Sequence, residues 1–417
     1  MKRLSTFLFL GLCLLSPAVQ AADWPCYRGA NQDGISTETL ALDWGTAAPK
    51  VLWKVPVNTG FSSIAVSGGL AVTQAVREIN GAPREICLAL DAATGQERWA
   101  ADVALGKGYD GGGQGDGPRS TPTISDGAVF VLTPDLVLHA LNTNDGSALW
   151  THDLVKEYGA VNIHWNSAAS PVVDDGLVFV MSGGEGQSLL AFEQKTGKLA
   201  WKVESEKITH ATPVVATILG ERQVIFYCQS GLVSLSVKNG NLLWKFPYKY
   251  STSAAASPVV SGDMVYCSAA YGVGGGVCKI TKEASGFKAT ALWQTPGNTE
   301  TANHWSTPVC KDGFLYGMYG FRALGNGPLK CVEMATGKVR WAQPGFGQGN
   351  VVLASGKLLA LADNGDLVVI DPSADAYKEL ARIKTVQGKC WSTPAISNGH
   401  IYVRSTQEAV CLDASVQ

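Results

Sequence analysis

The sequence has 417 residues, of which 46% are hydrophobic and 16% charged, a composition that excludes a disordered or collagen-like chain. A single hydrophobic core stops growing at about 250 to 300 residues, so this chain must divide into domains or repeat one structural unit. The 33 Lys and Arg residues are nearly balanced by 35 Asp and Glu residues, and without a strongly basic surface we expect no binding to nucleic acid.

Residues 1–21 have the features of a secretory signal peptide. Lys2 and Arg3 precede an apolar run from Phe7 to Leu15, and the segment 19–21 (Val-Gln-Ala) supplies the small residues that signal peptidase recognises. We expect cleavage after Ala21, which leaves 31 Lys plus Arg against 35 Asp plus Glu, a formal charge of −4. The sequence therefore predicts a periplasmic or secreted location.

Attachment to the membrane is not favoured by the sequence. A lipoprotein would use Cys13, but Leu12 occupies the position where lipidation requires a small residue. No later stretch reaches the roughly 18 apolar residues of a membrane-spanning helix. We therefore expect a mature form without a lipid anchor or a transmembrane span.

Two short motifs recur in step along the rest of the chain. The first is a Thr-Gly or similar turn followed by tryptophan, and the second is a Ser/Thr-Pro element followed by alternating apolar residues and an Asp-Gly or similar turn. Eight copies of the second motif occur, two of them degenerate, and an eighth unit of the first is expected near residues 381–383 with its tryptophan replaced. Intervals of 43 to 51 residues separate the tryptophans, which are Trp53, Trp99, Trp150, Trp201, Trp244, Trp293 and Trp341.

This periodicity predicts an all-β fold, an eight-bladed β-propeller. Each unit reads as four short antiparallel strands, and eight such sheets around an axis cover each other's faces. The last unit lacks an outer strand, so we expect residues 51–57 to supply it and to close the ring. Residues 22–49 would form a capping segment on the outside, and residues 50–417 the propeller. The tryptophans are expected to pack on the next blade.

Strand order places the irregular loops on one face. Connections between the first and second strands and between the third and fourth are short, whereas the others are long and variable, and binding usually resides in variable loops on a rigid scaffold. We call these two sides the short-turn face and the long-loop face, and expect function on the latter. Its predicted loops are residues 74–85, 106–117, 153–166, 183–187, 271–276, 294–304 and 322–327.

The residue three before each proline lies next to the axis, at the start of an innermost strand. Read around the ring, these positions are Phe61, Arg119, Ala168, His210, Ala255, Trp305, Gln348 and Trp391. This ring can hold a planar, anionic or sugar-like ligand by stacking and charge-assisted hydrogen bonds, or its side chains can simply plug the tunnel. With the residues just upstream, the ligand-binding candidates are Arg119, His164, Trp165, His210, Asn303, His304, Trp305, Gln348 and Trp391.

Catalytic and metal-binding signatures are weak. His210 and His304 are candidate general bases, but no spacing marks a nucleophile paired with a base, so the catalytic residues are unknown. The absence of a Cys-x-x-Cys motif gives no support for a zinc site, and we expect no metal centre. Nine cysteines remain after cleavage; most are expected to be buried fillers, and Cys267 with Cys278 is the one candidate disulfide.

The segment Leu90 to Trp99 resembles the pyrroloquinoline-quinone-like propeller repeat, with its Ala-x-Asp-x-x-Thr-Gly-x-x-x-Trp core. The resemblance covers nearly all of residues 50–413. The resemblance is specific for the fold and much less so for activity, and it extends to secreted bacterial propeller proteins that mostly lack an assigned reaction. The two characterised branches of the family are quinone-dependent alcohol or sugar dehydrogenases and the propeller lipoprotein that assists outer-membrane barrel assembly. The dehydrogenases carry adjacent cysteines under the quinone, which this sequence lacks, and a calcium site.

The favoured hypothesis is therefore a secreted scaffold that binds a ligand or a protein through its long-loop face and central funnel. The alternative is a dehydrogenase that uses pyrroloquinoline quinone with Ca²⁺. The partner is unknown, either a protein or a small molecule, and we expect a monomer.

Overall fold

The computed structural model describes residues 22–45, 47–106, 117–250, 252–319 and 327–416. It contains eight four-stranded antiparallel sheets, in each of which neighbouring strands are hydrogen-bonded. The predicted eight-bladed propeller is confirmed. Among the described residues there is one helix, α1 (Leu154–Tyr158), and no helix is long and apolar enough to cross a membrane.

Each of the first seven blades is built from four consecutive strands, the first of them innermost. Blade 1 contains β2 (Ala65–Ser67), β3 (Leu70–Ile79), β4 (Ala82–Asp91) and β5 (Glu97–Leu105); blade 2 contains β6 (Thr123–Ser125), β7 (Ala128–Leu132), β8 (Val137–Asn142) and β9 (Ala148–Asp153); blade 3 contains β10 (Val172–Asp174), β11 (Leu177–Gly184), β12 (Gln187–Glu193) and β13 (Leu199–Val203); blade 4 contains β14 (Val214–Ile218), β15 (Glu221–Cys228), β16 (Gly231–Ser236) and β17 (Leu242–Pro247). Blade 5 contains β18 (Val259–Ser261), β19 (Met264–Ala269), β20 (Gly274–Glu283) and β21 (Gly286–Pro296); blade 6 contains β22 (Val309–Lys311), β23 (Phe314–Met318), β24 (Leu329–Glu333) and β25 (Val339–Gln343); blade 7 contains β26 (Asn350–Ala354), β27 (Lys357–Leu361), β28 (Asp366–Asp371) and β29 (Lys378–Lys384).

The eighth blade joins the two ends of the chain. It consists of β30 (Ala395–Ser397), β31 (His400–Arg404), β32 (Glu408–Asp413) and, as its outer strand, β1 (Lys50–Pro56). Strand β1 runs antiparallel to β32, and the pairing extends from Lys50 opposite Asp413 to Pro56 opposite Glu408. The predicted closure by an N-terminal strand is confirmed.

The recurring tryptophan of one blade lies on the Thr-Gly-type turn of the next. Trp99 covers Gly146, whose φ is 72°, and its indole Nε1 donates a hydrogen bond to the carbonyl of Thr143 at 2.8 Å. A Cβ on Gly146 would lie 2.6 Å from the Trp99 ring. The glycine is therefore required twice, for its positive φ and for the close approach of the indole. The same arrangement pairs Trp53 with Gly95, Trp150 with Gly197, Trp201 with Gly240 and Trp293 with Gly337.

Three blades depart from this rule. Trp341 of blade 6 donates to the carbonyl of Ser373 at 2.9 Å, in a turn of blade 7 that has no glycine. Trp244 donates instead to the side chain of Gln223 in its own blade, at 2.7 Å, because the next blade has the long β20–β21 hairpin at that position. Ala381 occupies the tryptophan position of blade 7, opposite Val369. Blade 8 has no turn between its third and fourth strands, since its fourth strand is β1, so a tryptophan from blade 7 would find no such glycine.

Replacing Gly146 with alanine is expected to destabilise the protein more than the same change at Gly127. Both residues have positive φ, 72° and 80°, but a Cβ on Gly127 would meet no atom within 4 Å. Backbone strain alone should cost about 1 kcal/mol at Gly127, and displacing the Trp99 indole should add roughly 1 to 3 kcal/mol at Gly146. Urea denaturation of the two variants measures the difference, and equal losses would contradict the indole contact.

The Ser/Thr-Pro motif links the innermost strands around the axis. One hydrogen bond of this motif recurs in five blades. The donor is the backbone N–H of the residue at the position before the proline, and the acceptor is the side-chain hydroxyl at the same position of the next blade. Asn350 occupies this position of blade 7 and has no hydroxyl. The motif is thus explained by packing around the axis. The bonds measure 2.9 to 3.0 Å and join Ser63 to Thr121, Thr121 to Ser170, Ser170 to Thr212, Ser257 to Thr307, and Thr393 to Ser63.

Hydrogen bonds between turns show that the two sets of short connections share one face. Ala92 donates its backbone N–H to Gly69 at 2.9 Å, and Thr143 donates to Gly127 at 3.1 Å. The prediction of a uniform short-turn face is wrong at blade 5, where the hairpin of β20 and β21 extends the connection of the third and fourth strands.

The loops predicted for the long-loop face are more regular than expected. Residues 74–85 are the paired ends of β3 and β4 up to Ile79 opposite Ala82, and residues 183–187 are the tight connection of β11 and β12. Most of the predicted loops at residues 106–117 and 322–327 lie outside the described residues.

The N-terminal segment lies across the inner strands, so the expectation that it caps the outside is wrong. Trp24 pairs with Val66 of β2, and Ile35 bridges to Leu353 of β26. Between them the Arg28 guanidinium, 1% exposed, donates to the carbonyl of Thr307 at 2.6 Å. The segment therefore crosses the axis towards the short-turn face, and the funnel faces the long-loop side.

The predicted disulfide is also wrong. Cys267 pairs with Gly276 across the β19–β20 ladder, whereas Cys278 pairs with Val265, so the two cysteines are diagonal neighbours and too far apart for a normal S–S bond. Both thiols are free and buried, as are those of most other described cysteines. The expectation that they serve as apolar fillers is consistent with this burial.

Candidate functional site

The site predicted from the ring positions lies at the start of the innermost strands. Each residue precedes the first strand of its blade, so the eight blades bring eight positions to the axis on the long-loop side. Phe61 and His210 are buried. The other ring residues are partly exposed, as expected for the lining of an opening: Arg119, Ala168, Ala255, Trp305, Gln348 and Trp391.

Three of these side chains, from blades 6, 8 and 1, form a stack. The Trp391 ring lies 4.8 Å from that of Phe61, with 21° between the planes, and 5.2 Å from that of Trp305, with 28° between the planes. The ammonium of Lys389 lies 4.7 Å from the centre of the Trp391 ring. This part of the funnel is a continuous apolar surface with one cation beside it.

The stack continues through the neighbouring loops. Trp305 contacts His304 edge-on at 4.6 Å, His304 contacts Tyr271 at 5.1 Å, and Tyr271 stacks on Trp165 at 6.5 Å. Rings from several blades are thus connected. We call the set Phe61, Trp391, Trp305, His304, Tyr271 and Trp165 the aromatic arc.

Arg119 and His210 fix the end of the arc at Trp165. Arg119 donates a hydrogen bond of 2.7 Å to the backbone carbonyl of Trp165, and the Nε2 of His210 lies 3.1 Å from the carbonyl of His164. On its other side, the Nδ1 of His210 lies 2.9 Å from the hydroxyl of Ser253. These polar groups hold the loop backbone, as the plug interpretation predicts, while Trp165 itself remains partly exposed.

The backbone is strained where the arc leaves the blades. Trp165 and Asn166 have φ of 69° and 62°, and Tyr271 has φ of 56°, a region that costs non-glycine residues free energy. Such conformations persist where the surrounding structure holds them, and they concentrate at ligand-binding sites. The strain at Trp165 and Tyr271 is consistent with a functional role.

The two predicted amide residues, Asn303 and Gln348, differ in their roles. Asn303 donates to the carbonyl of Ser306 and is fully buried, so it shapes the loop that carries His304. Gln348 donates its backbone N–H to Asp363 at 3.2 Å, and its side-chain oxygen has no hydrogen-bond partner among the described residues.

Burial keeps His210 and His304 neutral. Burial, and secondarily the charge of Arg119, lowers the pKa of His210 to about 4; burial, and secondarily His210, lowers the pKa of His304 to about 3. In the unfolded chain an imidazole has a pKa of about 6.5. Between about pH 6.5 and 4 the unfolded state therefore binds protons that the folded state does not. The stability that these two neutral imidazoles contribute to the folded state is full above pH 6.5 and is lost as the pH falls.

We expect the His304→Gln variant to lose stability less steeply than the wild type between pH 6.5 and 4. One pKa unit corresponds to about 1.4 kcal/mol, so the difference should reach a few kcal/mol. Urea midpoints measured across this range test it. A His164→Gln variant, which removes an exposed imidazole from the same site, is the control, and equal slopes for the two variants would contradict the prediction.

The residues that the structure describes do not reproduce the metal site of the quinone enzymes. No group of three His, Cys, Asp or Glu side chains that could hold a metal ion occurs in the described ranges. The chain also lacks adjacent cysteines. The described part of the funnel therefore does not match the calcium and quinone donor set that the resemblance implies.

The structure brings together seven of the nine predicted site residues, from Arg119 and the His164-Trp165 pair to Trp391. Asn303 supports the loop, and Gln348 lies at its ring position, where its backbone N–H donates to Asp363. Sequence reasoning missed Tyr271 and Lys389. Neither occupies the repeated position before a proline, and the only signal for Tyr271 was its place in a predicted long loop.

Comparisons with known proteins agree with this architecture. A family model described as outer membrane protein assembly factor BamB matches residues 83–343. The outer membrane protein assembly factor BamB of Yersinia pestis is 26% identical over 235 residues, which cover 53% of this chain and 55% of that protein. The chain thus spans about half the length of that relative. The BamB of Burkholderia pseudomallei is 24% identical over 371 residues, covering 86% of this chain and 85% of that protein.

A solved structure gives the same fold at lower identity. The quinohemoprotein alcohol dehydrogenase ADHIIG from Pseudomonas putida HK5 superposes with a TM-score of 0.64 at 11% identity, covering 95% of this chain and 81% of that one. That likeness concerns the fold alone. The family match over residues 83–343, by contrast, confirms the resemblance seen in the repeats: the chain belongs to the outer membrane protein assembly factor BamB family of pyrroloquinoline-quinone-like propellers.

Proposed function

We propose that this protein is a binding scaffold of the cell envelope that holds a protein partner on its long-loop face, with the aromatic arc at the centre of the contact. The observation that carries the proposal is the arc itself. Trp305 and Trp391 are stacked on each other yet partly exposed at the open side of the funnel. Tryptophan, tyrosine and arginine are the residues that most often dominate protein interfaces.

The loop beside the arc extends this surface. Val155 in α1 is 47% exposed and Val161 is 64% exposed, and both belong to the connection that carries Trp165. Exposed apolar side chains next to a partly exposed aromatic site favour a protein surface as the partner. The related proteins named outer membrane protein assembly factor support a partner among envelope proteins.

The proposed location follows from the predicted signal peptide. Cleavage after Ala21 would release the chain into the periplasm or the medium, where the long-loop face is accessible to other envelope proteins.

Site-specific cross-linking tests the proposed face. A photoreactive amino acid at Val161 probes the long-loop face, and one at the exposed Asn144 probes the short-turn face. We expect a specific adduct with an envelope protein from Val161 and none from Asn144. The Val161 adduct should disappear when Trp391 is replaced by alanine; equal labelling at both positions, or labelling that persists in the Trp391→Ala variant, would contradict the proposal.

A quinone-dependent dehydrogenase is the second candidate, favoured by the arrangement of Arg119, Lys389 and the arc, which suits a planar anion. Titration with pyrroloquinoline quinone and Ca²⁺, followed by tryptophan fluorescence, and a dye-reduction assay with alcohols and sugars distinguish the two functions. Saturable binding with turnover would favour the enzyme, and no binding would exclude it.

A further inference from the structure

Glu38 carries a buried carboxylate that is held only by backbone donors. The residue is 5% exposed. Its Oε1 accepts hydrogen bonds from the N–H of Asn398 at 2.8 Å and of Ala22 at 3.0 Å, and its Oε2 accepts from the N–H of Gly399 at 2.7 Å. None of the ion pairs among the described residues includes Glu38.

A buried carboxylate without a positive partner is unfavourable, because its lost hydration is not replaced by an opposite charge. The nitrogen of Ala22 becomes such a partner if the chain is processed where the sequence predicts. Signal peptidase adds water across the Ala21–Ala22 peptide bond: the water oxygen joins the carbonyl carbon of Ala21, and the nitrogen of Ala22 leaves as an amine. At neutral pH this amine takes up a proton, since α-amino groups have a pKa of about 8.

We propose that removal of the signal peptide completes a latch, in which the new α-ammonium of Ala22 forms a buried ion pair with Glu38 and ties the N-terminal segment to the turn at Asn398 and Gly399. Two independent observations meet at one atom. The sequence places the scissile bond after Ala21, and the fold places the nitrogen on the other side of that bond against an uncompensated carboxylate.

The position of the latch gives it an effect on the whole ring. Asn398 and Gly399 connect β30 and β31 of blade 8, the blade closed by β1. Trp24, two residues after Ala22, pairs with Val66 of blade 1. The latch therefore joins blades 8 and 1 at the seam where the propeller closes. In the precursor the same nitrogen is a neutral amide, so the seam is held less strongly.

The experiment compares the exported chain, which begins at Ala22, with the same chain carrying one additional glycine before Ala22. The extension keeps the Ala22 nitrogen as an amide, as in the precursor. Both chains are also made with the Glu38→Gln substitution, which removes the charge and retains an acceptor. Urea unfolding gives four stabilities, and amide hydrogen exchange at Asn398 and Gly399 reports the turn directly.

We expect the extension to raise the unfolding equilibrium constant roughly tenfold in the Glu38 background, because hydrogen bonds to charged groups contribute more than neutral ones. In the Glu38→Gln background the change should be less than about twofold, since the charge that the ammonium pairs with is gone. Equal effects in both backgrounds, or no effect in the first, would overturn the latch.

Two further measurements keep the test decisive. If Glu38→Gln prevents folding, exchange of the Gly399 amide in the two chains with Glu38 decides the question: faster exchange in the extended chain supports the latch and equal rates overturn it. The intact mass of the exported protein must also correspond to a chain that begins at Ala22; any other first residue removes the ammonium from Glu38 and overturns the proposal. Neither result depends on the proposed binding function.

Discussion

Replacing Arg404 with methionine is expected to lower the free energy of unfolding by about 3 to 5 kcal/mol. The guanidinium is 1% exposed, and none of the ion pairs among the described residues includes it. Its donors instead satisfy the Thr73 hydroxyl and the Gln74 carbonyl at 2.7 Å, and the Gly60 carbonyl at 3.0 Å, with further bonds to the carbonyls of Asn58 and Ser405.

The effect should be large because one side chain serves two blades. Arg404 is the last residue of β31 in blade 8, while Thr73 and Gln74 belong to β3 in blade 1. Methionine fills a similar volume but leaves these buried acceptors without donors, and each unsatisfied group costs roughly 1 to 3 kcal/mol. Urea denaturation followed by tryptophan fluorescence measures the loss.

Arg98→Met is the matched control for Arg404. Arg98 pairs with Asp91 at 2.6 Å, but its side chain is 58% exposed, and exposed ion pairs contribute at most about 1 kcal/mol. A loss at Arg404 no larger than the loss at Arg98 would show that the seam does not depend on the buried guanidinium.

Replacing Trp305 or Trp391 with alanine is expected to weaken binding of the partner captured at Val161 by at least about 30-fold, since an interface hot spot contributes 2 kcal/mol or more. Stability should fall little, because both rings are partly exposed and lie outside the strands. Binding is measured by titration of the purified partner, and stability by thermal unfolding of the same samples.

Trp99→Ala is the control for loss of an indole. Trp99 is 7% exposed and joins blade 1 to blade 2, so its loss should cost about 3 to 5 kcal/mol and leave affinity unchanged in the protein that remains folded. If Trp391→Ala unfolded the propeller as Trp99→Ala should, the ring would be a structural plug and the binding proposal would lose its central residues.

The fold could be predicted from the sequence because each blade carries the same motifs at a regular spacing. Trp53 has no inner strands of its own, and this mismatch alone indicated that β1 would pair with the end of the chain, as Val55 opposite Ala409 shows. The replaced tryptophan near residue 381 was predicted as well. Why the tryptophan is replaced there could be explained only from the structure. Blade 8 lacks the turn on which that tryptophan would pack, because its outer strand comes from a part of the chain more than 300 residues away.

The features that were not predicted depend on contacts made by residues outside the repeated motifs. The N-terminal segment contains no repeat, so no pattern indicated that Arg28 would reach Thr307 across the axis. The ring positions were found because each precedes a proline at a fixed distance. Tyr271 reaches the arc from a connection between strands, where side-chain direction depends on a left-handed backbone that sequence alone does not reveal.

The pairing of β1 with β32 also determines which step of folding comes last. A chain is synthesised from its N-terminus, so β1 has no partner strand until the C-terminal residues Glu408–Asp413 have been made. Contacts so distant in sequence form slowly, and unpaired edges invite wrong association. The ring can therefore close only when the first and last strands meet, and until then the edge of β1 is exposed to wrong association.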